Sequence, residues 1–508
     1  MRNDRLLRVM TAEGILRGKM EKEIFVFKGI PYAAPPVGSL RWKAPHPVEP
    51  WNEEKDASEW GAACWQNRDD CLAMGGGDPG KLSEDCLYLN VWTPDVAPQE
   101  PLPVMVWIHG GGYAIGSGGL TPYSGTPMAQ RGAVVVTLNY RLGPLGFFAH
   151  PALDSEYPTG QPINNFALLD QIAALQWVQR NIHAFGGDAK NVTLMGESSG
   201  ARSVLSLYAS PLAVGLFHKG IVQSAYTLPD VPRAVALDKG QNLARYFNLP
   251  DATAEQLRQL PAEAFWSLNS SLGCGPVAIS GDRVLPQPML SVFASARQHP
   301  LPLMTGSNSD EASVLDYFGV NAAQTIAAMR KKHPLGLQLI KWLYRGIKDD
   351  AELGRQVARD MAFTTLGYIV TRAQQRIGAP GWRYYFDYVS ENARDIYLHG
   401  TRHGNEIPYV LDTLGQLTAA NNEQPFTSGD QAFARSISEY WFNFARDVTP
   451  ESRYISGQVN WPVWRDDCDV TLRFGRDGSA DIAIEERFMR RRVQIFRLLM
   501  KTFVHLRH

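Results

Sequence analysis

A serine carried in Gly196-Glu197-Ser198-Ser199-Gly200 follows an apolar run at residues 191–195 and precedes a helical pattern at 203–208. In that strand-to-helix setting, G-x-S-x-G turns the chain sharply and stands a hydroxyl clear of a sheet. The start of the helix also presents backbone N–H groups to any negative charge that develops there. The chemistry open to such a serine is acyl transfer, in which it attacks a carbonyl and later releases the acyl group to water. Without its setting the five-residue pattern says little in a chain with 45 glycines. A second piece of the same chemistry is His109-Gly110-Gly111-Gly112-Tyr113, directly after the apolar run 104–108. Consecutive glycines let main-chain N–H groups approach a substrate oxygen with no Cβ in the way. One such donor contributes about 2.7–4 kcal/mol to transition-state stabilisation.

A serine hydroxyl is a poor nucleophile until a base takes its proton and a carboxylate orients that base. In a strand–serine–helix architecture the chain order is serine, acid, histidine. Of 11 histidines, His399 and His403 lie in a glycine- and proline-broken loop, 398–409, beyond the apolar run 382–389. Loops past strand ends are where catalytic groups sit. The acid falls in the turn after the run 303–306, at Asp310 or Glu311. Adjacent side chains of an extended segment point to opposite sides, so one of the two faces the imidazole. Spacing does not choose between Asp310 and Glu311, or between His399 and His403.

Two other patterns carry no function. His399 and His403 are four apart, but Gly400 and Gly404 oppose a helix and the H-E-x-x-H glutamate is missing, so no metal site is read there. Gly75 to Lys81 fits G-x-x-x-x-G-K, yet Leu82 replaces the Ser or Thr that would hold magnesium and Pro79 removes a donor.

The elements that must position these residues are apolar runs at 104–109, 133–141, 191–195, 220–224, 303–306 and 382–389. Most are continuous rather than alternating, the mark of strands covered on both faces. Between them, Leu168, Ile172, Leu175, Val178 and Ile182 recur every three or four residues through 164–185, and Gly186-Gly187-Asp188 ends that helix. Strand–helix–strand units of this kind give an α/β fold with a mostly parallel central sheet flanked by helices. After about residue 320 the pattern becomes more helical, clearest at 352–377 and 431–446, with no linker before it. A last helix, 485–508, is rich in arginine, and Phe488, Ile495, Phe496, Leu499 and Phe503 form its core-facing stripe.

Composition narrows the function. The 508 residues carry 50 Lys+Arg against 51 Asp+Glu, a net charge of −1 that leaves no basic surplus for phosphate backbones, so no nucleic-acid partner is expected. No apolar run approaches the roughly twenty residues of a transmembrane helix. Charged residues break up the N-terminal segment where a signal peptide would need 7–15 apolar ones. With only 5 cysteines and no C-x-x-C pair, the expectation is a cytoplasmic protein with reduced thiols.

Taken together, these residues resemble the type B carboxylesterases, a branch of the α/β-hydrolase fold that includes cholinesterases and bacterial p-nitrobenzyl esterases. The resemblance spans nearly the whole chain: 27–33, 83–91, 109–113, 139–143, 170–178, the Ser198 elbow, 223–224, 310–311, and 403–409. It implies a single large domain over 1–508, with large helical insertions and a helical subregion at about 320–450 contributing to the pocket wall. It also implies Ser198 as nucleophile, His403 as base and Glu311 as orienting acid, with Gly111, Gly112 and Ser199 as backbone donors to the oxyanion. Ser224 resembles a serine that packs beside such a triad.

The implied activity is hydrolysis of small to medium carboxylic esters by a monomer, with no cofactor and no metal. An interfacial lipase, or a carbamate or amide hydrolase, would use the same triad. A non-catalytic scaffold of this fold would have lost it. Many relatives have Ala where this chain has Ser199. Cholinesterases place a choline-stacking tryptophan shortly before the position of Cys86, where this chain has Gly75 to Gly80, so choline esters are not expected. Cys86 resembles half of a disulfide of secreted relatives, with Cys64 or Cys71 as the other half.

Overall fold

A computed structural model describes residues 7–505, apart from 75, 267–271, 273–274, 316, 318–319, 418–424 and 477. Its central sheet has eleven strands. Along one edge β1 (Lys19–Glu21), β2 (Ile24–Pro31) and β3 (Tyr88–Thr93) pair antiparallel. The middle is formed by β4 (Leu102–Ile108), β5 (Val134–Leu138), β6 (Gly187–Glu197) and β7 (Lys219–Gln223). It continues through β8 (Leu303–Asn308), β9 (Gly381–Phe386) and β10 (Val470–Arg476). These pair parallel in the order β5-β4-β6-β7-β8-β9-β10. The antiparallel strands β3, beside β5, and β11 (Ser479–Glu486), beside β10, flank this block.

Continuous apolar runs require cover on both faces, and β4 illustrates how they get it. Val104, Val106 and Ile108 point into one core, with Leu168, Ile172 and Leu175 of the helix α1 (Phe166–Asn181). Met105 and Trp107 point into the other, with Ile437, Trp441 and Phe444 of the helix at Ser428–Asp447. The predicted helix 164–185 is α1 followed by a 3-10 turn, Ile182–Phe185, and Gly186 caps it in the left-handed region at φ 77°. The next helix, α2 (Ser199–Ala209), begins immediately after β6.

The helical region contains α3 (Ala322–Lys332), α4 (Pro334–Leu343), α5 (Asp350–Arg359), α6 (Thr365–Arg376) and α7 (Ser428–Asp447). The helix predicted at 352–377 is thus α5 and α6 joined by a π-turn, Asp360–Thr364. The buried Asp360 anchors this turn, accepting from Tyr344 Oη at 2.6 Å and Arg359 Nε at 2.7 Å. A π-turn swells a helix at functional sites more often than elsewhere. This one pushes Phe363 against the His403 ring, at 5.2 Å between centroids.

The terminal helix differs from its sequence reading. Residues 485–486 end β11, and α8 runs over Arg490–His505. Among its residues of described burial, Val493 and Phe496 are buried, whereas Leu499 is 40% exposed. Arginines at 490–492 give hydrophobic spacing little hold on where this helix begins.

Candidate active site

Ser198 stands at the junction of β6 and α2 with φ 54° and ψ −120°, a conformation that costs a non-glycine residue on the order of 1–3 kcal/mol. The strain sits on the serine itself, not on the two glycines of the motif. The glycines are needed for close approach instead. A Cβ on Gly200 would lie 2.1 Å from the Ile108 carbonyl oxygen, and one on Gly196 would lie 2.6 Å from the Gly200 backbone. The elbow is pinned to the sheet by the Ser198 N–H, which donates to the Gln223 carbonyl at 2.9 Å.

The Gly loop lies beside it. Gly111 (φ 100°) and Gly112 (φ 62°) occupy backbone regions that L side chains rarely adopt. Among the described residues the N–H groups of Gly111, Gly112 and Ser199 have no acceptor. His109 stacks on Tyr140, with centroids 4.4 Å apart, and burial holds its pKa down to about 4. It is therefore a neutral packing group beneath the loop. The Ser199 hydroxyl accepts from the Tyr113 N–H at 3.2 Å and so ties the Gly loop to the elbow.

His403 Nε2 lies 2.9 Å from Ser198 Oγ, and its Nδ1 lies 2.5 Å from Glu311 Oε2. A carboxylate at Nδ1 fixes the proton on that nitrogen, leaving Nε2 of the neutral ring to accept from the serine. Glu311 is fully buried and its other oxygen accepts from the Asn308 N–H at 2.6 Å. The Ser313 hydroxyl accepts from the His403 N–H at 2.9 Å.

The pairs that spacing left open part company here. Asp310 turns away to Arg355 at 2.5 Å, and His399 pairs with Glu352 at 2.9 Å. Ser224 is buried, donates its N–H to the Gly306 carbonyl, and its hydroxyl has no partner among the described residues.

Two buried carboxylates beside the triad escaped the sequence reading. Glu197, the residue before the serine, places Oε1 3.2 Å from His403 Nε2. Glu406 accepts from Asn308 Nδ2 at 2.5 Å and Gln223 Nε2 at 3.3 Å, and Gln223 in turn accepts from Trp441 Nε1 at 3.0 Å. The only signal for either was an acidic residue within two or three positions of Ser198 or His403. Burial pushes Glu197 up to about 8, against the pull of the nearby imidazole, with Glu406 and Glu311 adding to the rise. Burial pulls His403 down, but Glu197, Glu311 and Glu406 outweigh it and raise it to about 9. Glu197 and His403 lie close enough to titrate as a pair.

Ser198, His403, Gly111 and Gly112 open into a cavity of about 1070 Å³. Much of its wall is apolar, including Leu120, Trp266, Leu315, Phe363 and Ile407, and among the described residues its titratable lining groups with charge are Asp70, Glu197, Arg402 and His403. The stretch before Cys86 lines it through Asn67, Asp70, Cys71, Met74 and Gly76, none of them aromatic. Gly75 and Cys274 lie outside the described residues. Cys86 and Cys64 are buried side by side as free thiols, and Cys71 is free as well, so the disulfide implied by secreted relatives is not formed. Among the described residues no helix is long and apolar enough to cross a membrane.

Comparison with known proteins identifies the family. The carboxylesterase family model matches residues 6–493. The para-nitrobenzyl esterase of Bacillus subtilis (strain 168) is 33% identical over 483 residues, covering 91% of this chain and 94% of that protein. The fumonisin B1 esterase of Sphingopyxis macrogoltabida is 34% identical over 474 residues, covering 89% and 83%. A solved para-nitrobenzyl esterase structure superposes with a TM-score of 0.80 at 31% identity, covering 96% of this chain and 99% of that one. The chain therefore belongs to the carboxylesterase family: it has the α/β-hydrolase fold and is a carboxylic ester hydrolase.

Proposed function

We propose that the enzyme hydrolyses small to medium, uncharged carboxylic esters through an acyl-enzyme on Ser198. As Ser198 Oγ bonds to the carbonyl carbon, its proton passes to His403 Nε2, and Glu311 stabilises the imidazolium through Nδ1. The carbonyl oxygen becomes an oxyanion and receives the N–H groups of Gly111, Gly112 and Ser199. The alcohol leaves with the proton from His403. Water then attacks the acyl carbon, its proton going to His403, and the carboxylic acid leaves as His403 returns that proton to Ser198 Oγ.

The observation that carries this reading is the pair of contacts on one ring, 2.9 Å from Nε2 to Ser198 Oγ and 2.5 Å from Nδ1 to Glu311. The large, mainly apolar cavity supports the substrate class, because it offers little compensation for burying a charge. The chain acts as one large domain whose region at about 320–450 supplies a pocket wall, a reading supported by Phe363, Ile396, His403 and Leu414 among the lining residues. A monomeric, cytoplasmic enzyme fits a site drawn wholly from one chain and the free thiols of Cys64, Cys71, Cys86 and Cys468.

The test is hydrolysis of p-nitrophenyl acetate and butyrate by wild type, Ser198→Ala, His403→Ala and His399→Ala. The first two variants lose on the order of 10³-fold or more in kcat. His399→Ala keeps most of its turnover. Wild-type turnover in Ser198→Ala overturns the mechanism.

A further inference from the structure

A second cavity, of about 240 Å³, lies behind the loop that carries Glu311. Its wall includes both residues that the triad leaves aside, Asp310 and His399. Four guanidiniums reach it from three elements: Arg355 and Arg359 of α5, Arg473 of β10 and Arg492 of α8.

The carboxylates around this wall are already engaged. Asp310 pairs with Arg355 at 2.5 Å, Asp387 with Arg473 at 2.8 Å and Glu352 with His399 at 2.9 Å. Asp360 pairs with Arg359 at 2.7 Å and Arg492 at 3.4 Å. Donors are left over. The Arg359 side chain is only 9% exposed and donates through Nε to Asp360 and through Nη1 to the Ser309 carbonyl. Its Nη2 has no acceptor among the described residues, nor has Arg473 Nε. Buried guanidinium donors of this kind call for an acceptor, and a carboxylate is the acceptor whose planar geometry matches theirs. Tyr385 and Phe488, with ring centroids 4.8 Å apart, add an apolar surface to the same wall.

We propose that this cavity binds a short organic carboxylate, its oxygens on Arg359 and Arg473 and its carbon chain against Tyr385 and Phe488. Ester hydrolysis releases acids of this class, so the enzyme meets such ligands wherever it works. The site does not depend on which residues perform the hydrolysis.

The test is calorimetric titration of the full chain with butyrate and with inorganic phosphate at constant ionic strength. It is repeated on Arg359→Lys, and on Gln356→Phe, which fills the cavity without removing a charge. Occupancy of the Ser198 pocket is read separately, as competitive inhibition of p-nitrophenyl acetate hydrolysis. The expected result is a saturable butyrate site, separate from the Ser198 pocket, that weakens by about tenfold or more in both variants, while the competitive inhibition constant stays within about twofold in Gln356→Phe. Should Arg359→Lys fail to fold, Gln356→Phe alone decides. Butyrate affinity unchanged in Gln356→Phe, no saturable site in wild type, or phosphate binding as tightly as butyrate would each overturn the proposal.

Discussion

Ser198 is positioned by backbone, His403 by side chains. On the serine side, the Ile108 carbonyl fills the space beside Gly200, and the Glu197 carbonyl comes within 2.9 Å of where a Cβ on Gly110 would lie. On the histidine side, Glu311, Ser313, Glu197 and the Phe363 ring hold the imidazole from separate parts of the chain. The backbone-held half admits almost no substitution. The side-chain-held half can lose a member and keep its shape, so its variants separate chemistry from folding.

The largest effect is expected where the backbone contacts are closest. A methyl at Gly200 would sit 2.1 Å from the Ile108 carbonyl oxygen at the end of β4 and 2.8 Å from that of His109, which accepts the Tyr140 hydroxyl, so neither is free to move aside. Gly200→Ala should therefore cost more than about 4 kcal/mol, the range reserved for severe local disruption. Loss of soluble, cooperatively melting protein on thermal denaturation is the measurement. A variant that melts within a few degrees of wild type would show that the elbow is not pinned as described.

On the histidine side, Glu311→Gln keeps the shape and changes the proton. With an amide in place of the carboxylate, Nδ1–H is no longer fixed by a charge and the wrong tautomer competes, a change that lowers kcat by about 10⁴ in the serine-protease counterpart. We expect a loss of on the order of 10³–10⁴ with the folded structure retained. Asp310→Asn is the control from the neighbouring position, because Asp310 faces Arg355 and the second cavity. Its turnover should stay within about tenfold of wild type, with the lost buried ion pair seen as lower thermal stability. Equal losses in the two variants would erase the distinction between the two faces of this turn.

The same contrast explains what was legible in the sequence. The serine elbow and the Gly loop rest on contiguous residues and on glycines that nothing else can replace, so they can be found as motifs. The six strands β4 to β9 show in continuous apolar runs because both faces are covered. The edge strands β1 and β11 do not stand out, since part of their length is exposed, and β2, β3 and β10 do not because polar or charged residues such as Lys28, Asn90 and Arg473 interrupt their apolar runs. The π-turn at Asp360–Thr364 is invisible because it arises from one buried carboxylate gathering Tyr344, Arg359 and Arg492. Glu197 and Glu406 are near Ser198 and His403 in sequence, but an acidic residue in a loop is ordinary. Only burial makes it unusual. The choice of Glu311 and His403 over Asp310 and His399 came from family resemblance; in the structure Asp310 and His399 line the second cavity, Glu311 is buried against His403 Nδ1, and His403 lines the Ser198 cavity.

A smaller effect concerns the pH profile. In the proposed mechanism the neutral imidazole is the base, so kcat/KM falls as pH drops through the titration of the Glu197–His403 pair. That limb should lie above the ordinary histidine value near 6.5, since His403 is raised. Glu197→Gln removes one of the carboxylates that hold the imidazolium, so the limb should move to lower pH, on the order of one unit. The profile of kcat/KM with p-nitrophenyl acetate from pH 5 to about 10 measures it. An unmoved limb would assign the raised titration to Glu311 and Glu406 alone.

The smallest effect tests the one place where the two halves are stitched by a side chain. Ser199 Oγ accepts the Tyr113 N–H at 3.2 Å, linking the Gly loop to the elbow. The bond is buried and neutral, so its removal in Ser199→Ala should cost about 0.5–1.5 kcal/mol, with the Tyr113 N–H left to find another acceptor. If the bond only adds stability, the melting temperature falls and kinetics do not change. If it aims the N–H groups of Gly111 and Gly112 at the oxyanion, kcat falls by up to about tenfold while KM holds, because those donors act on charge present only in the transition state. The second outcome is the one expected, since Gly111 and Gly112 immediately precede Tyr113 and both sit at positive φ, where a turn held at one end transmits its position directly.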